Sequence, residues 1–160
     1  MNVPMSRELG RADAAFLGIP FDCGLNPIRL GARMGPRAIR EQSSLVRPYQ
    51  PPLWDTNLLE SMHMVDCGDV NVVHGDILES FARIEACMDR FVESQTTPIT
   101  FGGDGSVTLP QLRAMHRAHP DLVVLHIDAH TDTYPDAVGE EMSGTNYEAF
   151  NPATTFSRAA

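Results

Sequence analysis

The chain has 160 residues, the length of one domain, and 42% of them are hydrophobic, which is enough for a buried core. Its 12 basic residues are all arginine and face 21 acidic ones, so the formal net charge is −9. No basic cluster could neutralise the phosphates of a nucleic acid, and a nucleic-acid partner is therefore not expected. No stretch is apolar enough to span a membrane, and the N-terminal residues lack the apolar core of a signal peptide, so we expect a cytoplasmic protein.

The first third of the chain predicts a strand, a helix and a second strand. An apolar run over 14–20 is typical of a buried strand. Gly35-Pro36 predicts a loop that enters a helix with proline in its first turn, ending near Leu45. A second apolar run predicts a strand over 62–70.

The middle of the chain continues the same alternation. Apolar residues recur at helical spacing over 76–93, and a short third strand is predicted over 97–101. A further helix is predicted over 106–116, followed by a fourth strand over 122–127. Alternating strands and helices predict an α/β fold with a parallel, doubly wound sheet, in a single domain over 1–160.

The fourth predicted strand is followed by three possible metal ligands. Asp128, His130 and Asp132 occupy alternate positions, and alternate side chains of an extended chain point the same way. Open α/β sheets bind ligands at the carboxyl ends of their strands. Two carboxylates and one imidazole suit a divalent ion such as Mn²⁺, Ni²⁺, Co²⁺ or Zn²⁺. The alternative is that both aspartates are turn residues and the histidine is solvated.

The residues after Asp132 offer no run long enough for another buried strand. A strand that is apolar on both faces needs neighbours, and an uncovered apolar edge promotes aggregation. The sequence therefore predicts that 122–127 is covered by a partner.

Two motifs resemble those of the ureohydrolase family, the arginases and agmatinases: Gly102-Gly103-Asp104-x-Ser106 and Asp128-Ala129-His130-Thr131-Asp132. The segment 31–40 is also similar to the N-terminal segment of this family, and closer to agmatinases and guanidinobutyrases than to arginases. The resemblance implies a three-layer αβα sandwich around a parallel sheet. It also implies a binuclear metal centre, usually of manganese, whose bridging hydroxide attacks a guanidinium carbon and releases urea.

The resemblance assigns ligand roles but also exposes three departures. It implies that Asp128 bridges both metals, His130 binds the second and Asp132 the first. Gly105 stands where the family has its first histidine ligand, and glycine has no donor atom. Pro152 stands at the family's histidine for substrate binding and proton transfer. The last two aspartate ligands belong to a later Asp-x-Asp segment, which is expected beyond the end of this sequence.

These departures leave three of six expected ligands, so we expect at most one weakly bound divalent ion, Mn²⁺ or Ni²⁺. Three interpretations stay open: a non-catalytic accessory subunit packed against a homologous ureohydrolase, an active agmatinase or guanidinobutyrase, and a fragment completed by its own C-terminal half. Truncation explains the missing aspartates but neither Gly105 nor Pro152, which favours the accessory subunit. The substrate class implied by the family is a guanidino small molecule.

Overall fold

A parallel three-stranded sheet forms the centre of the protein. The computed structural model describes residues 3–22, 31–46, 57–134 and 152–159. The strands are β1 (Ala14–Gly18), β2 (Met64–Asp69) and β3 (Thr97–Phe101), in the spatial order β2-β1-β3. All the pairings are parallel. The α/β class with a parallel sheet and the first three predicted strands are thus confirmed.

The described residues also form four α-helices: α1 (Gly35–Ser43), α2 (Leu58–Ser61), α3 (Ile77–Ser94) and α4 (Thr108–Ala118). The longest, α3, begins where the Asp76 side chain accepts a hydrogen bond from the Glu79 backbone N–H at 2.9 Å, which satisfies a donor that has no partner within the helix. It ends at Gln95, whose φ of 55° lies in the left-handed region. No helix in the described part of the chain is long and apolar enough to cross a membrane.

The helices cover both faces of the sheet. In the strand order β2-β1-β3, the chain moves one way across the sheet from β1 to β2 and the other way from β2 to β3. Connections between parallel strands are almost always right-handed, so α1, in the first connection, and α3, in the second, lie on opposite faces. Leu17 of β1 belongs to the buried cluster that includes Phe81 and Ile84 of α3. The neighbouring Phe16 points to the other face, where its ring stacks on that of Phe101 at 5.4 Å.

A partly buried ion pair attaches α1 to β2. Arg40 Nε and Nη2 donate to the two carboxylate oxygens of Asp66 at 2.8 and 2.9 Å. Arg40 also donates to the Gly68 carbonyl oxygen at 2.8 Å and to the carboxylate of Asp69. Because Asp66 is buried, this forked contact fixes the helix at the carboxyl edge of the sheet.

The prediction of a fourth strand over 122–127 is wrong. Residues 122–127 belong to no strand among the described residues. Three alternate side chains of the segment, Val123, Leu125 and Ile127, are 86–88% exposed; we call them the apolar row. Apolar composition predicts that a segment is buried, but a strand also forms only beside another strand whose backbone groups are free to hydrogen-bond with it. The expectation that no strand follows Asp132 falls partly on residues 135–151, which lie outside the described residues.

Candidate metal site

A glycine turn after β3 brings the carboxyl ends of β3 and β1 together. The Asp104 backbone N–H donates to the Phe21 carbonyl oxygen at 3.2 Å. A side chain at Gly103 would overlap that same carbonyl oxygen, so only glycine allows this close approach. Asp104 Oδ1 accepts from the Ser106 backbone N–H at 3.1 Å and from the Ser106 hydroxyl. The aspartate therefore caps the short 3-10 helix Gly105–Val107.

A second buried carboxylate lies just beyond β1. Asp22 accepts hydrogen bonds from Arg33 Nε at 2.7 Å and from the Arg33 and Gly31 backbone N–H groups at 3.0 and 3.2 Å. The Arg33 guanidinium lowers the pKa of Asp22 and outweighs the opposing effect of burial. All of these partners belong to residues 31–33, so the carboxylate holds that segment against the sheet and is not free to bind a metal.

The loop after residue 127 does not continue the alternation that the sequence suggested. Residues 128–130 form bends, and Asp132 has a φ of 51° in the left-handed region. Asp128 Oδ1 accepts a hydrogen bond from the His130 backbone N–H at 3.0 Å. This backbone hydrogen bond is the main cause that lowers the pKa of Asp128. A bent backbone removes the geometric reason for three alternate side chains to converge.

The structure brings together His126, Asp128 and Asp132, whose ligand atoms all lie within 4.8 Å of one another; we call them the donor cluster. His126 Nε2 lies 3.7 Å from Asp128 Oδ2. His130 is not part of this cluster, and its side chain is 80% exposed. Sequence reasoning missed His126, although its position two residues before Asp128 in the predicted strand was a usable signal.

The segment Pro152–Thr154 and the residues after it contact both the turn and the loop. Thr155 Oγ1 donates to the Gly105 carbonyl oxygen at 3.3 Å. The Phe156 ring lies 4.2 Å from the His126 ring, centroid to centroid, and the Phe156 backbone N–H donates to the Asp132 carbonyl oxygen at 3.0 Å. This segment therefore connects the glycine turn with the donor cluster.

Within the described residues, the donor cluster offers too few ligand atoms for two metal ions. Gly105 contributes only backbone atoms at the end of β3, and a proline such as Pro152 has no side-chain group that exchanges a proton. The donor cluster supplies one imidazole and two carboxylates. That set fits a single divalent ion of borderline character and leaves the remaining positions to water.

Comparisons with known proteins agree with this architecture. A profile of the Arginase family matches residues 12–160. The human mitochondrial guanidino acid hydrolase is 40% identical over 144 residues, which are 89% of this chain and 40% of that protein. The structure of proclavaminate amidino hydrolase from Streptomyces clavuligerus matches with a TM-score of 0.82 at 27% identity, over 98% of this chain and 48% of that one.

A formiminoglutamase from Trypanosoma cruzi, solved with Mn²⁺, shares the fold with a TM-score of 0.78 at 24% identity, over 96% of this chain and 49% of that one. The chain thus spans less than half the length of these relatives. The profile covers almost the whole sequence, and the matched structures have the same arrangement of sheet and helices. The chain belongs to the arginase family.

Proposed function

We propose that this chain is a non-catalytic or accessory subunit of a metal-dependent hydrolase that cleaves a guanidino C–N bond and releases urea. The observation that carries the proposal is Gly105. Around it the turn is fully built, with Asp104 capping the 3-10 helix and Thr155 bonded to the Gly105 carbonyl oxygen. The position where the family resemblance implies a histidine ligand nevertheless offers no donor atom.

The lack of a histidine ligand at 105 mainly affects the activation of water for hydrolysis. Two adjacent cations lower the pKa of a shared water and hold it against an electrophile, which a single ion does less well. The donor cluster supplies three ligand atoms, enough for at most one weakly held ion, Mn²⁺ or Ni²⁺. Pro152 further replaces the residue to which the resemblance assigns proton transfer. Glycine at 105 and proline at 152 are both expected to lower the rate of hydrolysis.

The apolar row supports a partner of the same kind. Its three side chains face solvent, whereas the alternate residues Leu122 and Val124 line a cavity of about 270 Å³ shared with Phe156. An exposed row of large aliphatic side chains at alternate positions suits the addition of a strand. A homologous ureohydrolase subunit, or this protein's own C-terminal half, would supply it.

A second candidate is an active agmatinase or guanidinobutyrase. Asp128 and Asp132 favour it, because both carboxylates remain in the donor cluster. Similarity to the human guanidino acid hydrolase and to the Streptomyces amidino hydrolase supports a guanidino or amidino substrate for either candidate. In the active form, a residue from a partner chain would have to supply the donor that Gly105 lacks.

Urea release separates the two candidates. The purified chain, incubated with agmatine or 4-guanidinobutyrate and Mn²⁺ or Ni²⁺, is expected to release no more urea than a metal-free control. Asp128→Ala serves as the matched variant. Steady urea release that increases with added metal and disappears in Asp128→Ala would establish the active enzyme instead.

A further inference from the structure

Two cysteines from different elements line one cavity of about 170 Å³ between the sheet and α3. Cys67 belongs to β2 and Cys87 to α3, and both are half-buried free thiols. Both also pack against the buried hydrophobic cluster, which includes Val65 of the same strand and Ile84 of the same helix. Cys87 follows Ile84 by three residues, so it lies on the helical face that covers the sheet. Two sulfur ligands therefore border the same space.

Two arginines of α3 fix the walls of this cavity. Arg83 Nη1 donates to the Asn71 carbonyl oxygen at 2.7 Å, just after the end of β2. Arg90 Nη2 donates to the Arg7 carbonyl oxygen at 2.7 Å, and Arg7 directly follows the residues that hydrogen-bond to β2. The helix is thus held near the strand at two points, one on each side of Cys87 along the helix. These contacts maintain the distance between the two cysteines.

The environment of the thiols disfavours a direct bond between them. A disulfide needs the two sulfur atoms about 2.05 Å apart, whereas Cys67 and Cys87 both border a cavity. Burial raises the pKa of both thiols, although the positive charge of Arg90 acts against this in each case. Both thiols are therefore protonated near pH 7, and a protonated thiol attacks peroxides and disulfides slowly. A ligand that displaces the protons and occupies the cavity suits these residues better than oxidation does.

We propose that Cys67 and Cys87 bind one soft, closed-shell cation of the Cu⁺ type as a pair of thiolates. Thiolates select Cu⁺ over the harder ions that carboxylates prefer. Two thiols and one Cu⁺ give a bis-thiolate complex of charge −1 and release two protons to solvent, without transfer of electrons. The Arg90 guanidinium, which acts on both sulfurs and also lines the cavity, balances that charge. The site is separate from the donor cluster and does not depend on the proposed function.

An anaerobic titration with Cu⁺ tests this proposal. The full chain carries Cys23→Ser, so that only Cys67 and Cys87 remain as thiols, and a chromophoric Cu⁺ chelator competes for the ion. We expect one tightly bound Cu⁺ per chain and release of two protons per ion, measured with a pH indicator in weak buffer. Adding either Cys67→Ser or Cys87→Ser should weaken binding by more than about 100-fold, because even contacts outside the ligand shell contribute about 10- to 100-fold.

Alkylation gives a second measurement that leaves both cysteines in place. In the Cys23→Ser chain, bound Cu⁺ should protect Cys67 and Cys87 from iodoacetamide to the same extent, as read by peptide mass spectrometry. This result stands even if a serine variant fails to fold. Protection of only one cysteine, release of a single proton, one Cu⁺ shared by two chains, or tight binding retained by either serine variant would overturn the proposal. A disulfide between Cys67 and Cys87 that forms in air would also overturn it, because the sulfurs would then lie too close to hold an ion between them.

Discussion

Replacing Arg40 by methionine tests whether the ion pair between α1 and β2 holds the sheet edge together. The substitution keeps an unbranched side chain and removes the guanidinium, which leaves the buried Asp66 carboxylate with the Gly68 backbone N–H, a donor at 2.9 Å. Breaking a buried pair typically costs about 3–5 kcal/mol. Because Arg40 is partly exposed and Gly68 remains as a partner, we expect a loss near the lower end, about 3 kcal/mol.

Urea denaturation measures this loss, and the midpoint should fall with little change in the m-value. For a chain of this size the melting temperature should drop by roughly 6–12 °C. Arg37→Met is the matched control, since Arg37 lies on the same helix and pairs with Glu41 at 2.7 Å with both side chains exposed. An exposed pair of this kind contributes less than about 1 kcal/mol.

Equal destabilisation by Arg40→Met and Arg37→Met would refute the reasoning. The double variant Arg40→Met/Asp66→Leu provides a second check. It removes the unpaired carboxylate together with its partner, and should therefore be more stable than Arg40→Met alone. If the double variant is less stable, then loss of packing rather than an orphaned charge explains the effect.

Three further predictions concern the pairing of Asp22, the glycine turn and the apolar row. Because Arg33 lowers the pKa of Asp22 in the folded protein, this pair stabilises the fold above about pH 4, and the contribution disappears as the pH falls through the lowered pKa. The stability difference between the parent protein and Asp22→Asn, measured by urea denaturation, should therefore shrink from pH 7 to pH 3; a constant difference would contradict the linkage. Gly103→Ala should destabilise the protein by about 3 kcal/mol or more because of the overlap with the Phe21 carbonyl oxygen, whereas Gly10→Ala, with nothing within 4 Å, should be nearly neutral by thermal melting. The chain should elute from size-exclusion chromatography with light scattering as an oligomer, or with a co-expressed homologue, and aspartates at the apolar row should abolish the association; a monodisperse species at 17.6 kDa that unfolds cooperatively would contradict this.

The elements that the sequence predicted correctly are those with a local signal. The apolar periodicity of 76–93 predicted α3 because every residue that defines the helical face lies within the helix itself. The strand predicted over 97–101 coincides with β3 for the same reason. The ion pairs of Arg40 with Asp66 and of Arg33 with Asp22 join residues 26 and 11 positions apart. No local periodicity encodes such pairs, so they became visible only in the folded chain.

The candidate site was only partly predictable for a related reason. Asp128 and Asp132 were identified by residue type, and both lie in the donor cluster. Their relation to His130 depended on an extended backbone, whereas the chain bends at 128–130. His126 lies two residues before Asp128, and its Nε2 atom comes within 3.7 Å of Asp128 Oδ2.

Two of the three glycines in the turn after β3, Gly103 and Gly105, differ in what the fold requires of them. Gly103 is required sterically, because any side chain there would overlap the Phe21 carbonyl oxygen. Gly105 differs: it is exposed and its φ is not in the left-handed region, and its contact with Thr155 uses a carbonyl oxygen that every residue possesses. Neither its backbone conformation nor this contact requires glycine at 105. The residue at 105 therefore decides which ligand atoms the turn offers, whereas the backbone hydrogen bond that Thr155 makes there does not depend on it.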